Sequence, residues 1–371
     1  MKRLFVEMWR VICQEWRAIW HDEGVVLITV FALFIYGISY SLGYGGEVLT
    51  EVPIAVVDED RSGSSRELVR MIDASPKVSV AYELPDVGGV GPLIAERGIY
   101  GAVVVDANFE REILSGQQAK VAILGDASYF LAYREVVEGC VAAIQTKNEQ
   151  IVAGRVGVYN PPVIYEQRNL FNPSFGYGIF VMPAIILLIV QQTALMGVGM
   201  LSATRRERGL RYASSSAFVV TLGRLLAEFA TYALTLGFML TVHYWLFDYP
   251  MRAAWWRCVA VIVPYLLAVL LLAQSLGRLF RRRESPILWL LWFSIPFLLV
   301  SGASLPSQAF PRWLYLLGKV VPSSSAVEAW IAVQSRGASL ADVAPELSIL
   351  WILTIIFGVG AVVANRSSRT H

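Results

Sequence analysis

The chain has 371 residues, of which 56% are hydrophobic and 16% charged, against about 25% charged in an ordinary soluble domain; its mean hydropathy is +0.55. The net charge of +2 gives no case for a nucleic-acid binder. The three histidines (His21, His243, His371) and three cysteines (Cys13, Cys140, Cys258) are scattered, which excludes a metal-ligand cluster and a disulfide framework. Charge divides by region: residues 45–175 hold 11 Lys and Arg against 18 Asp and Glu, a net −7, and the remainder holds 20 against 11, a net +9. An acidic soluble domain joined to a basic membrane part is the economical reading.

In chain order, Phe5, Met8, Trp9, Ile12, Trp16, Ile19 and Trp20 recur at spacings of three and four, with Glu7, Arg10, Gln14 and Arg17 on the other face. Residues 1–23 therefore read as an amphipathic helix lying in a membrane interface. It either anchors the N-terminus or acts as an elbow that transmits movement into the first span. That span, 24–44, contains an uncharged run from 25 to 44, enough for the roughly 20 residues a bilayer crossing needs. The run is too long for a signal-peptide core and closes on no small-residue cleavage pattern, so it reads as an uncleaved anchor.

Residues 45–175 alternate strand and helix signals. PIAVVD, VSVAY, YGAVVV and KVAILGD read as strands, while SRELVRMIDAS, PLIAERG and 131–155 read as helices, the first opened by Ser64 and Glu67 at capping-box spacing. This is an α/β domain inserted between spans one and two. Asp58, Asp60, Asp106 and Asp126 each follow a strand, where turn and cap chemistry commonly puts Asp. No catalytic constellation accompanies them.

Five further apolar runs, 179–201, 225–247, 254–276, 287–303 and 347–364, complete six expected spans within 176–371. Pro183, Pro264 and Pro296 do not veto them, because neighbouring membrane helices re-satisfy freed backbone groups. With the N-terminus inside, the inner segments carry 15 Lys and Arg and the outer connections 5. The positive-inside rule then places both termini in the cytoplasm and the inserted domain outside. Between spans two and three, 202–224 carries an arginine-rich helix end stopped at Gly209, then a polar stretch. Anchoring explains the arginines; a short cytoplasmic helix presented to a partner explains the polar stretch as well. Before the last span, 304–345 is divided by Pro306, Pro311 and Pro322, with Ser325 and Glu328 again at capping-box spacing. Its pieces are too short to span and read as an outer re-entrant segment.

The order of parts resembles the ABC type-2 exporter permeases over nearly the whole chain. Three stretches carry the resemblance: PIAVVDEDRSGSSRELVRMIDASP with its follow-on YGAVVVDANFEREILSGQQAKVAILGDAS, the loop RERGLRYASSSAFVVTLGR, and SGASLPSQAFPRWLYLLGKVVPSSSAVEA. The loop is similar to the family's coupling segment, with Leu210 where Thr is common and Arg224 where Lys is common. The resemblance implies a polytopic α-helical membrane protein of six transmembrane helices with an inserted α/β extracytoplasmic domain, in a bacterial inner (plasma) membrane. It also implies that Glu207, Gly209, Leu210, Arg211 and Tyr212 form or flank the contact with a cytoplasmic ABC ATPase subunit.

No G-x-x-x-x-G-K-[ST] phosphate loop occurs; the sole Gly-Lys, Gly318-Lys319, is followed by Val. ATP would therefore be bound by the partner ATPase, and this chain needs no cofactor of its own. Six spans make half a transporter, so a second permease copy or a sister permease is expected, and an extracytoplasmic membrane-fusion adaptor is compatible. Inside the spans, Gln191, Gln192, Glu228 and His243 are candidate polar residues of a translocation path. Arg224 and Glu228, four apart, equally read as a structural pair. The reading from these features is a permease subunit of an ATP-driven exporter, itself not an enzyme. Its rivals are a receptor or adhesion protein displaying the α/β domain, and a lipid-acting enzyme, for which no catalytic residues stand out.

Overall fold

A computed structural model of the chain describes residues 2–43, 49–96, 98–126, 129–154, 177–214, 216–302 and 310–367. The described residues divide into two units, one of 2–43 with 177–367, the other of 49–154. The first opens with helix α1 (Lys2–Trp20). Asp22 then caps the next helix by accepting the Val25 N–H at 3.1 Å, which starts α2 (Glu23–Gly43). One π turn at Leu27–Phe31 interrupts α2.

The unit of 49–154 is built on four strands, β1 (Val52–Asp58), β2 (Val78–Leu84), β3 (Gly101–Val105) and β4 (Val121–Gly125). Their order is β2-β1-β3-β4, with β1 parallel to both neighbours and β4 antiparallel to β3. The helices are α3 (Gly63–Asp73), α4 (Val90–Ala95), α5 (Phe109–Ser115) and α6 (Phe130–Gly154). Because β1 is central and covered on both faces, its sequence is apolar at successive positions rather than alternating. Ile54 packs with Leu68, Ile72 and Val136 on one face, while Ala55 and Val57 pack with Val90 and Ala102 on the other.

Two local expectations change here. The cap of α3 is Ser62, whose hydroxyl accepts the Ser65 N–H at 3.1 Å, not Ser64. Ser64 instead donates to Glu110, and Glu67 pairs with Lys147. The carboxylates after β1 serve the loops: Asp58 accepts the Arg61 N–H at 2.9 Å and the Ser65 hydroxyl at 2.7 Å, and Asp60 accepts the Glu110 N–H at 3.1 Å. The expected tail of this domain, 155–175, lies outside the described residues.

Beyond it run α7 (Tyr177–Glu207), α8 (Ala217–Leu246), α9 (Trp255–Leu276), α10 (Ser285–Val300), α11 (Arg312–Gly318), α12 (Pro322–Ser335) and α13 (Ala344–Ser367). Among the described residues, five helices are long and apolar enough to cross a bilayer: α2, α7, α8, α9 and α13. A sixth is reached if α11 and α12, bent by 93° to each other, count as one broken span. The fifth expected span is the shorter helix α10. Its 16 residues reach about 24 Å at 1.5 Å each, less than the roughly 30 Å of hydrocarbon. It stops at Ser301 before the left-handed Gly302 (φ 78°), and its terminal Val300 carbonyl accepts the Ser324 hydroxyl of α12 at 3.0 Å. The bend between α11 and α12 admits either a broken span or the expected re-entrant segment of 304–345, and Pro306 falls outside the described residues. Ser325 lies inside α12 and is not its cap; Pro322 occupies the first helical position, and Glu328 pairs with Lys319.

The connection between α7 and α8 is shorter than the expected 202–224. Helix α7 continues to Glu207 and ends in a Schellman turn, with Leu210 N–H on the Arg205 carbonyl (2.9 Å) and Gly209 N–H on that of Arg206 (3.2 Å). The motif needs the left-handed conformation that Gly209 adopts at φ 61°. Ser216 then caps α8, accepting the Val219 N–H at 3.5 Å. The expected short helix between them is absent among the described residues of 208–216, whose polar groups go to α1 instead.

Candidate functional site

The face of α1 that carries the tryptophans points outward: Phe5 is 65% exposed and Trp9 59%. The opposite stripe, with Val11 and Glu15 both fully buried, lies on α8. Gly223 permits this approach, since a Cβ there would sit 2.8 Å from Val11 Cγ1 and 3.3 Å from the Met8 carbonyl.

Glu15 is the centre of a buried charge cluster. Its carboxylate accepts from Arg205 Nη2 at 2.8 Å, from the Tyr212 hydroxyl at 3.0 Å and from Arg224 Nε at 3.3 Å. Arg224 continues outward. Its Nη2 donates to Ser202 Oγ at 2.9 Å and lies 3.4 Å from Glu228 Oε1, and its Nη1 donates to Asn365 Oδ1 at 3.4 Å. Gln274 Nε2 donates to the other Glu228 oxygen at 2.8 Å. Two carboxylates thus face two guanidiniums, a neutral set that joins α1, α7, α8, α9 and α13. Buried charges persist only when paired and hydrogen-bonded in this way. Burial alone would raise the Glu15 carboxyl, but Arg224 and Arg205 beside it hold it below the ordinary carboxylate range. Burial pushes the Tyr212 phenol up, so it stays a donor, and the Arg205 guanidinium lies 4.0 Å over its ring.

The rest of 208–216 hangs on the same helix. Gln14 Oε1 accepts the Ala213 N–H at 3.0 Å, and Glu7 accepts the Ser214 hydroxyl at 2.8 Å. What faces outward is Arg208, Gly209, Leu210 and Arg211, with Leu210 54% exposed. A second clamp binds the start of α2 to the connection before α10. Arg283 makes a bidentate pair with Asp22, both contacts at 2.5 Å, and its own N–H goes to Glu207 Oε1 at 3.1 Å. Hydrogen bonds from Arg283 hold the Asp22 carboxyl below its usual range.

Of the coupling residues expected from sequence, Tyr212 is locked to α1, Glu207 is turned to the 277–284 connection, and Gly209, Leu210 and Arg211 form an exposed tip. The expected path residues are not gathered at one place. Glu228 belongs to the charge cluster. His243 bonds Ser41 Oγ (2.8 Å) and the Gly37 carbonyl (3.2 Å) of α2. Gln191 meets α12, and Gln192 is half-buried beside it on α7. Glu15, Asp22 and Arg205 are the residues that sequence reasoning passes over, and Gln14 is read there only as part of the polar face of α1. The local signal for Glu15 is the four-residue spacing Glu7–Val11–Glu15 along the stripe opposite the tryptophans.

A bundle of membrane-length helices gathered around a neutral charge cluster, with one short basic tip, has the form of a polytopic transport permease. The comparison with known families agrees: residues 24–363 match the family described as ABC-2 family transporter protein, and the chain belongs to that family. It is similar to the probable multidrug ABC transporter permease YbhR of Escherichia coli (strain K12), 20% identical over 362 residues, covering 96% of this chain and 98% of that protein. It is also similar to the inner membrane transport permease YhhJ of the same strain, 22% identical over 347 residues and covering 91% of each.

Proposed function

We propose that this chain is the membrane subunit of an ATP-driven exporter, powered by a separate cytoplasmic ABC ATPase that seats on the exposed tip 208–211. Both termini face the cytoplasm of a bacterial inner membrane, the 49–154 unit lies outside, and a second permease copy or sister permease completes the path. The observation that carries this reading is the Glu15–Tyr212 bond. Behind the tip, Tyr212 is tied to the buried cluster, so a force on Leu210 reaches α1 and four membrane helices through charge-assisted contacts. Closure of the ATPase subunits would pull on the tip and rock the helices as a body. The Lys and Arg bias supports the orientation. The name of YbhR, a probable multidrug permease, supports drug molecules as cargo.

The test is co-purification followed by ATP hydrolysis and solute efflux in liposomes. Leu210→Asp and Gly209→Val should leave the permease assembled while lowering ATPase association or efflux at least tenfold, an expected loss of about 1.4 kcal/mol or more in coupling. If both variants retain full stimulated hydrolysis, the tip is not the seat. If no ATPase co-purifies at all, the receptor or adhesion reading of the 49–154 unit takes its place.

A further inference from the structure

Helix α12 begins inside the bundle, beside the middle of α7. Gln191 stands 14 residues after Tyr177 and 16 before Glu207, about 21 Å along the helix. Its Oε1 accepts the Ser323 N–H at 2.9 Å. That bond fixes the amide orientation, because only the oxygen can meet an N–H. The amide's NH₂ is therefore left as a donor, and Gln191 Nε2 has no partner although the residue is fully buried. The Ser323 hydroxyl, equally buried, has none either. The surroundings are apolar core from α7, α9 and α13. Buried polar groups are mostly satisfied in native proteins, whereas Gln191 Nε2 and the Ser323 and Ser325 hydroxyls are unpartnered at the start of this one helix, which calls for an occupant. The N-terminus adds a positive dipole end of its own, the arrangement by which interrupted membrane helices receive acceptor groups of a cargo.

We propose that the Gln191 amide, the Ser323 hydroxyl and the N-terminus of α12 form a donor subsite for an acceptor oxygen, such as a carboxylate, sulfonate or phosphate, on the transported molecule. The proposal rests on the exporter reading and names the chemistry one part of its path selects. In the resting arrangement Gln191 closes the subsite on the Ser323 N–H. When the bent pair of α11 and α12 moves during turnover, the same donors turn to the cargo.

The experiment uses Ser323→Cys in the permease–ATPase complex in nanodiscs, with Cys13, Cys140 and Cys258 replaced by serine. The probes are a sulfonate-bearing and a trimethylammonium-bearing methanethiosulfonate of similar size. The introduced thiol should be modified only during ATP turnover, and about tenfold faster by the sulfonate than by the ammonium, as donor bonds to a charged acceptor imply. Gln191→Leu should abolish that preference while lowering the melting temperature modestly, since it removes the unpartnered NH₂ together with the Oε1 that accepts the Ser323 N–H. Turnover with no modification, or modification with equal rates or an ammonium preference, overturns the subsite alone. A complex that hydrolyses no ATP overturns the exporter reading, and the subsite with it.

Discussion

Replacing Glu15 by alanine should loosen the whole junction. The residue is fully buried and faces Arg205, 13% exposed, and Arg224, 3% exposed. Deleting one member of a buried pair costs about 3–5 kcal/mol, mostly because the remaining charge is stranded. Arg224 keeps Glu228, Ser202 and Asn365, which puts the expected loss near the low end, about 3 kcal/mol. For a unit of this size, that lowers the melting temperature by roughly 6–12 °C. Glu15→Gln keeps the volume and one acceptor but not the charge, so it should fall between wild type and Glu15→Ala. The discriminating variant is the double Glu15→Met, Arg205→Met. It leaves Arg224 opposite Glu228 in a balanced pair and should lose clearly less than the sum of the two single changes. Tryptophan-detected melting in nanodiscs near neutral pH reads these variants together with the single Glu15→Met and Arg205→Met changes. A Glu15→Ala melting within about 2 °C of wild type would refute the clamp, and a strictly additive double would show that Glu15 and Arg205 are not coupled.

Gly223→Ala should lift α1 from α8, because the added methyl meets Val11 Cγ1 at 2.8 Å and the Met8 carbonyl at 3.3 Å, neither the far end of a flexible chain; a cost of about 1–3 kcal/mol follows, read as faster proteolysis at Arg10 and Arg17. The Asp22–Arg283 clamp should have a defined pH window. Since the Asp22 carboxyl is depressed by Arg283 in the folded state, its contribution is complete above the unfolded value of about 3.9 and disappears as pH falls through the lower folded value. Asp22→Asn should therefore destabilise at neutral pH, and the difference from wild type should vanish in strong acid; a constant difference across that range would contradict the assignment. Cys140, whose thiol burial pushes up to about 12, should resist a thiolate-directed reagent in mildly alkaline buffer while folded and react fully once denatured.

The strands and spans are legible because their signals are local. Apolar runs of strand length between Gly and Asp turns mark β1 to β4, and charge-free runs mark the long helices. The misplaced features are those in which local signals compete with distant partners. Ser64 and Glu67 have the spacing of a capping box, yet Glu110 and Lys147 draw their side chains away, leaving Ser62 to cap. The segment 208–216 has the look of a short helix, but Gln14 and Glu7 supply the hydrogen bonds that a helix turn would have supplied. Glu15 draws no notice because its partners lie 190 to 209 positions away. The hydrophobic pattern of α1 also misleads if read as in a soluble protein: here the tryptophans face outward, toward the place of lipid, and the mixed stripe holds the protein contact.

That inversion bears on how the proposed exporter could transmit force. An amphipathic helix packed through its apolar face on other helices can slide, because dispersion contacts are non-directional and each is weak. Helix α1 is instead held by oriented contacts: Glu15 to three donors, Gln14 to a backbone N–H, and a glycine notch at Val11. Separating them strands a charge or a backbone group in a low-dielectric interior, and no intermediate position relieves that cost. The junction therefore favours two discrete states, docked or released, over a graded series. On the proposed function, the exposed tip is the part that yields to a partner, and everything behind Tyr212 moves as one piece with the first span. A spin-label distance between α1 and α8 should accordingly stay fixed through the ATP cycle in the wild type. It should broaden in Glu15→Ala, with efflux falling more steeply than ATP hydrolysis. If the distance changes during wild-type turnover while efflux stays coupled, α1 is a sliding anchor and the cluster merely stabilises the resting state.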